Sequence, residues 1–257
     1  MVDALGRNRA VLLLCAAAVT LAVALTVPAS KPAGAATDQL PDLAMDKLTS
    51  IQIKNTNGQR LLRFDTRIVN IGAGAFEANG SRPDTSTPTL SVTQRIFDDA
   101  GAYRDVPTTA EMYYAGDGHT HWHLRDLESY ELIRLDNGVK VGTGAKEGFC
   151  FWDNYRFGST ADPYYIQCSN NQPDALAVKM GLSRGWGDTY GWQTVGQYID
   201  VTNLPPGRYR LQATADAANW FVESNNTNNF TWADVQLTRN GKVSVLSYGP
   251  SAQPISG

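Results

Sequence analysis

The sequence predicts an all-β protein, an antiparallel β-sandwich with long irregular loops carrying its functional residues. Three observations support this. Apolar and polar residues alternate with the period of a half-buried strand in several short runs. Clusters of Gly, Pro and Asn separate those runs. No stretch sustains a helical period over three turns.

Taken in order, residues 1–36 read as an export signal. Arg7 and Arg9 form a basic start, an apolar run extends from Ala10 to Val27, and Ala33-Gly34-Ala35-Ala36 offers a small-residue cleavage site. Thr37 to Asp46 is a lead-in. Arg60 to Asn70 places Leu62, Phe64, Thr66 and Ile68 on one strand face, and Thr89 to Phe97 groups Leu90, Val92 and Ile96. Leu132 to Gly142 contains Asn137-Gly138 between alternating residues, which predicts a two-residue hairpin. Phe149 to Trp192 is rich in Gly, Asn and aromatic residues and predicts a long loop region. Inside it, Asp174 to Leu182 predicts one short helix ended by Gly181. Further strands are expected after the Pro206-Gly207 turn (Tyr209, Leu211, Ala213), from Asn228 to Leu237 and from Val243 to Ser247. No composition break divides residues 37–257, which are expected to form a single domain.

The net charge of the 257-residue chain is −3. Loss of Arg7, Arg9 and Lys31 together with Asp3 would take it from −3 to −5. An acidic balance argues against nucleic acid as a partner. No later stretch could span a bilayer, so no stable membrane association is expected once the signal is cleaved. Of the three cysteines, Cys15 lies in the signal. Cys150 and Cys168 would remain, and in an exported chain they most simply form one disulfide.

The 3 histidines fall within five positions, His119, His121 and His123. Imidazole binds borderline transition metals, so the cluster predicts a metal site. A flat strand rises about 3.4 Å per residue and metal–nitrogen bonds are about 2 Å, so three rings converge only if the chain bends. Gly116 and Gly118 would permit a bend or bulge. The alternating residues Leu124, Asp126, Glu128, Tyr130 and Leu132 then read as one strand that holds the site. Asp117 or Asp126 could accept a hydrogen bond from a ligand histidine. Three imidazoles suit copper and zinc alike. The motif leaves open an oxidase, a three-His zinc hydrolase and a non-catalytic metal-binding module.

Four segments, in this order, resemble the lysyl oxidase family of copper-dependent amine oxidases. They are HTHWH with the following SYEL, KEGFC (Lys146 to Cys150), GLSRGWGDTYGWQTVGQYIDVTNLPPGRYRL (Gly181 to Leu211) and WFVESNNTNNF (Trp220 to Phe230). The resemblance implies that His119, His121 and His123 bind Cu(II). It implies that Tyr190 is oxidised by copper and O2 to a quinone, and that the ε-amine of Lys146 then adds to that ring to give lysine tyrosylquinone. The reaction implied is oxidative deamination of a primary amine, either a peptidyl lysine or a small amine, to an aldehyde with ammonia and hydrogen peroxide. A flexible arm is expected to bring Lys146 and Tyr190 together.

Asp188 is the candidate base, since alternation puts it on the same side as Tyr190 in extended chain. A turn carboxylate capping backbone NH groups is its other reading. Trp152, Trp186 and Trp192 are candidates either for a substrate channel or for plain packing. The chain departs from animal members of the family in having Gly118 where they carry a cysteine, and in keeping one bridge.

Overall fold

A computed structural model describes residues 35–116 and 119–255. Most of the expected export signal (residues 1–34), and Asp117 and Gly118 beside the histidines, lie outside the described residues. The strands run β1 Asp38–Gln39, β2 Leu43–Met45, β3 Thr49–Thr56, β4 Gln59–Asn70, β5 Phe76–Ser81, β6 Thr89–Asp98, β7 Tyr103–Tyr114, β8 Trp122–Arg125 and β9 Glu128–Arg134. They continue as β10 Lys140–Thr143, β11 Gly148–Phe149, β12 Tyr155–Arg156, β13 Ala177–Leu182, β14 Trp186–Tyr190, β15 Tyr198–Asp200, β16 Gly207–Ala215, β17 Phe230–Leu237 and β18 Val243–Tyr248. Every pairing is antiparallel and no helix occurs among the described residues, as the alternation predicts.

The strands form three sheets: β11-β8-β7-β6-β5-β13 with β1 on β6, then β10-β9-β16-β17-β18, and finally β12-β14-β4-β15 with β2 and β3 on β4. One apolar core joins all three, with Phe64 and Ile68 from β4, Phe76 from β5, Trp122 and Leu124 from β8, and Leu132, Leu211 and Val235 from the second sheet. Burial of that shared face drives the layers together, at roughly 25 cal/mol per Å² of apolar surface. Thr66 is a polar residue on the buried face of β4 and faces the site described below.

Three local expectations are corrected. Asp174 to Leu182 contains no helix: residues 177–182 form β13 and pair in register with β5, from Ala177 opposite Ser81 to Leu182 opposite Phe76. Long-range pairing overrides the local helical preference of Ala, Leu and Met. The β9–β10 hairpin exists, but its connection is longer than Asn137-Gly138. Arg134 N donates to Val139 O, and only Gly138 of the pair has positive φ (71°), where a two-residue type I′ turn needs it at both positions.

The run from Leu124 to Leu132 is not one strand. The chain leaves the first sheet after Arg125, turns at Asp126 in the left-handed region (φ 52°), and enters the second sheet at Glu128. Aspartate tolerates that conformation better than most residues.

That corner decides where function can sit. β8 and β9 belong to different sheets, the β10–β11 connection crosses between the same two, and β14 brings the third. His123, Lys146 and Tyr190 therefore arrive from separate layers at one junction.

Candidate metal and cofactor site

His123 lies on β8 opposite Tyr113 of β7, buried, while His119 and His121 precede the strand and are half-buried. The chain bends at His121, as convergence requires. His123 Nε2 lies 2.8 Å from His121 Nε2 and 3.5 Å from His119 Nδ1. One nitrogen from each ring falls within 4.8 Å of the other two. Donors bound at about 2 Å to a common ion stand no more than about 4 Å apart, and two of these separations meet that limit. The all-imidazole donor set thus fits a borderline divalent cation such as copper or zinc. Of the two aspartates considered as hydrogen-bond acceptors for a ligand ring, Asp117 lies outside the described residues. Asp126 is exposed on its turn, with its backbone N donating to Glu147 O at 2.6 Å.

The first sheet holds His123 closely. Gly148 on β11 faces it, and a Cβ there would stand 2.4 Å from His123 Nδ1 and 2.1 Å from the Tyr113 hydroxyl. Only glycine lets the β11 backbone approach the ring this nearly.

Two residues before Gly148, Lys146 turns inward and is 8% exposed. Its Nζ lies 5.0 Å from the centroid of the Tyr190 ring and 5.0 Å from that of Phe149. Ammonium over an aromatic face is attracted by the ring quadrupole. Gly196 packs on the other side of Lys146, with positive φ (76°) and a Cβ position 3.1 Å from the Lys146 Cα. The site thus pairs a residue of the short β10–β11 connection with a residue of a paired strand. Lys146 follows β10, and Tyr190 ends β14, paired to Thr66 of β4. The disulfide predicted from the two exported cysteines, Cys150–Cys168, ties down the segment between. The bridge stabilises by about 3 kcal/mol in the chain-entropy model.

Tyr190 donates its hydroxyl to Cys150 O at 2.9 Å and meets Phe149 edge-on at 5.1 Å. Asp188, two residues earlier on β14, points to the same side and is also buried, as alternation predicts. The turn-cap reading of Asp188 is set aside, because the residue lies within a strand and the Asn154 side-chain amide donates to its Oδ1. Its Oδ2 is buried without a hydrogen-bond partner. Burial pushes the Asp188 carboxyl up to about 8, against the opposing pull of the Tyr190 hydroxyl and the Asn154 amide. Burial likewise holds the Tyr190 phenol well above its ordinary value, reinforced by the Asp188 charge.

All six residues singled out from the sequence line one cavity of about 450 Å³: His119, His121, His123, Lys146, Asp188 and Tyr190. Trp152 (40% exposed), Ile166 (61%) and Val195 (53%) form apolar walls near its mouth. Trp186 and Trp192 do not join that wall. Trp186 is buried and donates Nε1 to Ala161 O at 3.2 Å, while the Trp192 ring packs under Lys54.

Sequence reasoning did not single out Asn154, Gln197, Thr66 or the carboxylate of Glu128 as functional. The last three meet in a buried polar cluster with Tyr130 behind Lys146. A carboxylate and a hydroxyl on apolar strand faces and an amide just before β15 were the available signal, and it is weak because each comes from a different part of the chain.

Comparison with known proteins gives concordant findings. A family model described as lysyl oxidase matches residues 84–247, a span that includes every residue just named except Thr66. Lysyl oxidase homolog 2 of Bos taurus is 27% identical over 183 residues, covering 70% of this chain and 19% of the relative. Protein-lysine 6-oxidase of Homo sapiens is 31% identical over 121 residues, 47% of this chain and 27% of its own length. Lysyl oxidase homolog 3 of Homo sapiens is 26% identical over 171 residues, 66% and 18% of the two chains. The matched part thus spans about a fifth to a quarter of these curated relatives.

Proposed function

The chain belongs to the lysyl oxidase family, and from that premise we propose that residues 37–257 form a copper-dependent amine oxidase domain. Residues 1–36 are the export signal in this reading, so the enzyme acts outside the cell, with neither nucleic acid nor a membrane as a stable partner. The observation that carries the proposal is the Lys146 amine, 5.0 Å from the Tyr190 ring centroid, in the cavity onto which three convergent imidazoles also open.

His119, His121 and His123 would hold Cu(II), and Lys146 with Tyr190 would form lysine tyrosylquinone. Once in place, that pair of groups supplies oxidation of a primary amine to an aldehyde by O2, with ammonia and hydrogen peroxide as the other products.

The protein's own residues do the rest. Phe149 and Phe151 pack edge-on against the Tyr190 ring, at 5.1 and 6.3 Å between centroids, and fix its plane while limiting water on that side. Asn154 orients Asp188 through Oδ1, leaving Oδ2 to accept the proton from the substrate carbon next to nitrogen. Trp152, Ile166 and Val195 give the aliphatic part of the substrate an apolar approach. A peptidyl lysine and a small free amine are the two substrate classes that present a primary amine on such a stem.

The test is amine-dependent peroxide release from protein loaded aerobically with copper. Wild type should release peroxide with an amine, and Tyr190→Phe and Lys146→Ala should not. Release that persists in either variant would defeat the proposal.

A further inference from the structure

Beneath Lys146 a second buried carboxylate remains without a role in the reaction just described. Glu128 opens β9 immediately after the chain changes sheets, and it is 1% exposed. Thr66 Oγ1 donates to its Oε2 at 3.2 Å, and the Tyr130 hydroxyl donates to the same oxygen at 2.9 Å. Gln197 closes the cluster, with Oε1 3.0 Å from the Tyr130 hydroxyl and Nε2 donating to Thr66 Oγ1 at 3.3 Å. Both donors thus converge on Oε2. Oε1 is buried with no hydrogen-bond partner. A carboxylate stripped of water on one side is costly unless a cation answers it.

Lys146 is the cation within range. It shares with Glu128 a cavity of about 350 Å³ distinct from the substrate cavity, and its charge acts on Glu128. The other acidic groups on that cavity are placed differently. Glu131 is paired with Lys140 at 2.9 Å, and Asp126 and Glu147 are exposed. On the facing sheet, Asp188 also feels the Lys146 charge, but it lies on the substrate side, where Asn154 engages its Oδ1. Lys146 opens onto both cavities, with the Tyr190 ring lining the outer one.

We propose that Glu128 is the positioning residue for cofactor assembly: its Oε1 holds the Lys146 side chain under the Tyr190 ring and accepts its proton. The step is balanced within the pair, since the ammonium of Lys146 and the carboxylate of Glu128 become a neutral amine and a carboxylic acid. Only the neutral amine has the electron pair needed to attack a ring carbon. This inference rests on the quinone reading above and adds to it a division of labour. Asp188 serves turnover on the substrate side, and Glu128 serves the one-time cross-link from behind.

Glu128→Gln separates this role from a structural one, because glutamine keeps the shape and a hydrogen-bond acceptor of the side chain but cannot take a proton. Metal-free wild type and variant are given copper and air, and the Lys146–Tyr190 cross-linked peptide is followed over time by mass spectrometry at several pH values. Thermal melting and copper content are measured on the same samples. Glu128→Gln should bind copper as wild type does and stay folded at every pH tested, yet form the cross-link slower by on the order of 100-fold. Its rate should recover as the pH is raised, because solvent hydroxide then takes the lysine proton. Glu128→Asp should restore part of the rate at neutral pH.

A Glu128→Gln protein that folds and cross-links at the wild-type rate overturns the inference and leaves the proposed function standing. If glutamine unfolds the protein, Glu128→Asp carries the test, and a cross-linking rate unchanged across pH in that variant overturns the inference. A wild type that binds copper and never cross-links overturns the proposed function instead.

Discussion

The ε-amine of Lys146 lies over the ring of Tyr190, 5.0 Å from its centroid, although Lys146 comes from the β10–β11 connection and Tyr190 from β14 of the third sheet. Both are nearly buried, at 8% exposure each. In the proposed function, an amine and a phenol so placed would join once the ring is oxidised. Substituting either should therefore leave the fold and the copper intact. Lys146→Arg keeps a cation over Phe149 and the Tyr190 ring, yet guanidinium is never deprotonated at neutral pH. It should show wild-type copper content, no quinone colour and no redox-cycling stain. A stain of wild-type strength in Lys146→Arg would assign the colour to another residue.

Gly148 bears on the proposed metal ligand His123 through contact alone. A methyl at this position would press on His123 Nδ1 at 2.4 Å and on the Tyr113 hydroxyl at 2.1 Å. Gly148→Ala should weaken copper binding about 10- to 100-fold, the usual effect of disturbing what supports a ligand histidine. It should also destabilise the fold by about 1–3 kcal/mol through overpacking. Competition with a copper chelator and thermal melting measure the two effects. Undiminished affinity would show that His123 is not held by β11.

As the proposed base, Asp188 would link activity and stability with opposite signs. Burial lifts its carboxyl up to about 8, from an ordinary value of 3.8. As a base it must be ionised, so turnover should rise as pH is taken up through about 8, and Asp188→Asn should remove that rise along with most activity. For folding, a raised value means that the native state favours the protonated form. The stabilisation is complete below about 4 and is lost as pH climbs from about 4 through about 8. Glu128, lifted by burial to about 8 as well, contributes in the same direction. Metal-free protein should melt at lower temperature at pH 9 than at pH 6, and Asp188→Asn should flatten that slope. An unchanged slope would remove Asp188 from the account of stability.

The Cys150–Cys168 bridge acts on the site through a main-chain atom. Cys150 O receives the Tyr190 hydroxyl at 2.9 Å, and Phe151 next to it packs on the same ring. Replacing both cysteines by serine should cost about 3 kcal/mol of stability. It should also slow quinone formation, because the phenol loses its fixed acceptor. Unaltered kinetics in a correctly folded double variant would confine the disulfide to a structural role.

The sequence carried the histidine cluster openly, since the 3 histidines stand within five positions and nowhere else. It also carried the long strands, because Leu62, Phe64, Thr66 and Ile68 repeat the strand period and are all buried. Lys146 and Tyr190 were legible only through resemblance, as a single lysine and a single tyrosine have no local signature. The corner at Asp126 is marked only by Asp126 and the out-of-phase Leu127, which interrupt the alternation between Leu124 and Leu132 too briefly to announce a change of sheet. Ala177–Leu182 was misread as helix because its partner strand lies about a hundred residues earlier in the chain. Glu128, Thr66, Tyr130 and Gln197 were invisible as a group for a related reason. Their meeting depends on β4, β9 and the turn before β15 converging, which no window of sequence contains.

The central claim is a covalent one, that copper held by three imidazoles lets Lys146 join the ring of Tyr190. Peptide mass spectrometry after aerobic copper loading addresses it most directly. The peptides containing Lys146 and Tyr190 should appear as one species, with hydrogens lost and oxygen gained relative to their sum. Recovery of the two as separate, unmodified peptides, from protein with a full copper complement and an intact Cys150–Cys168 bridge, would contradict it.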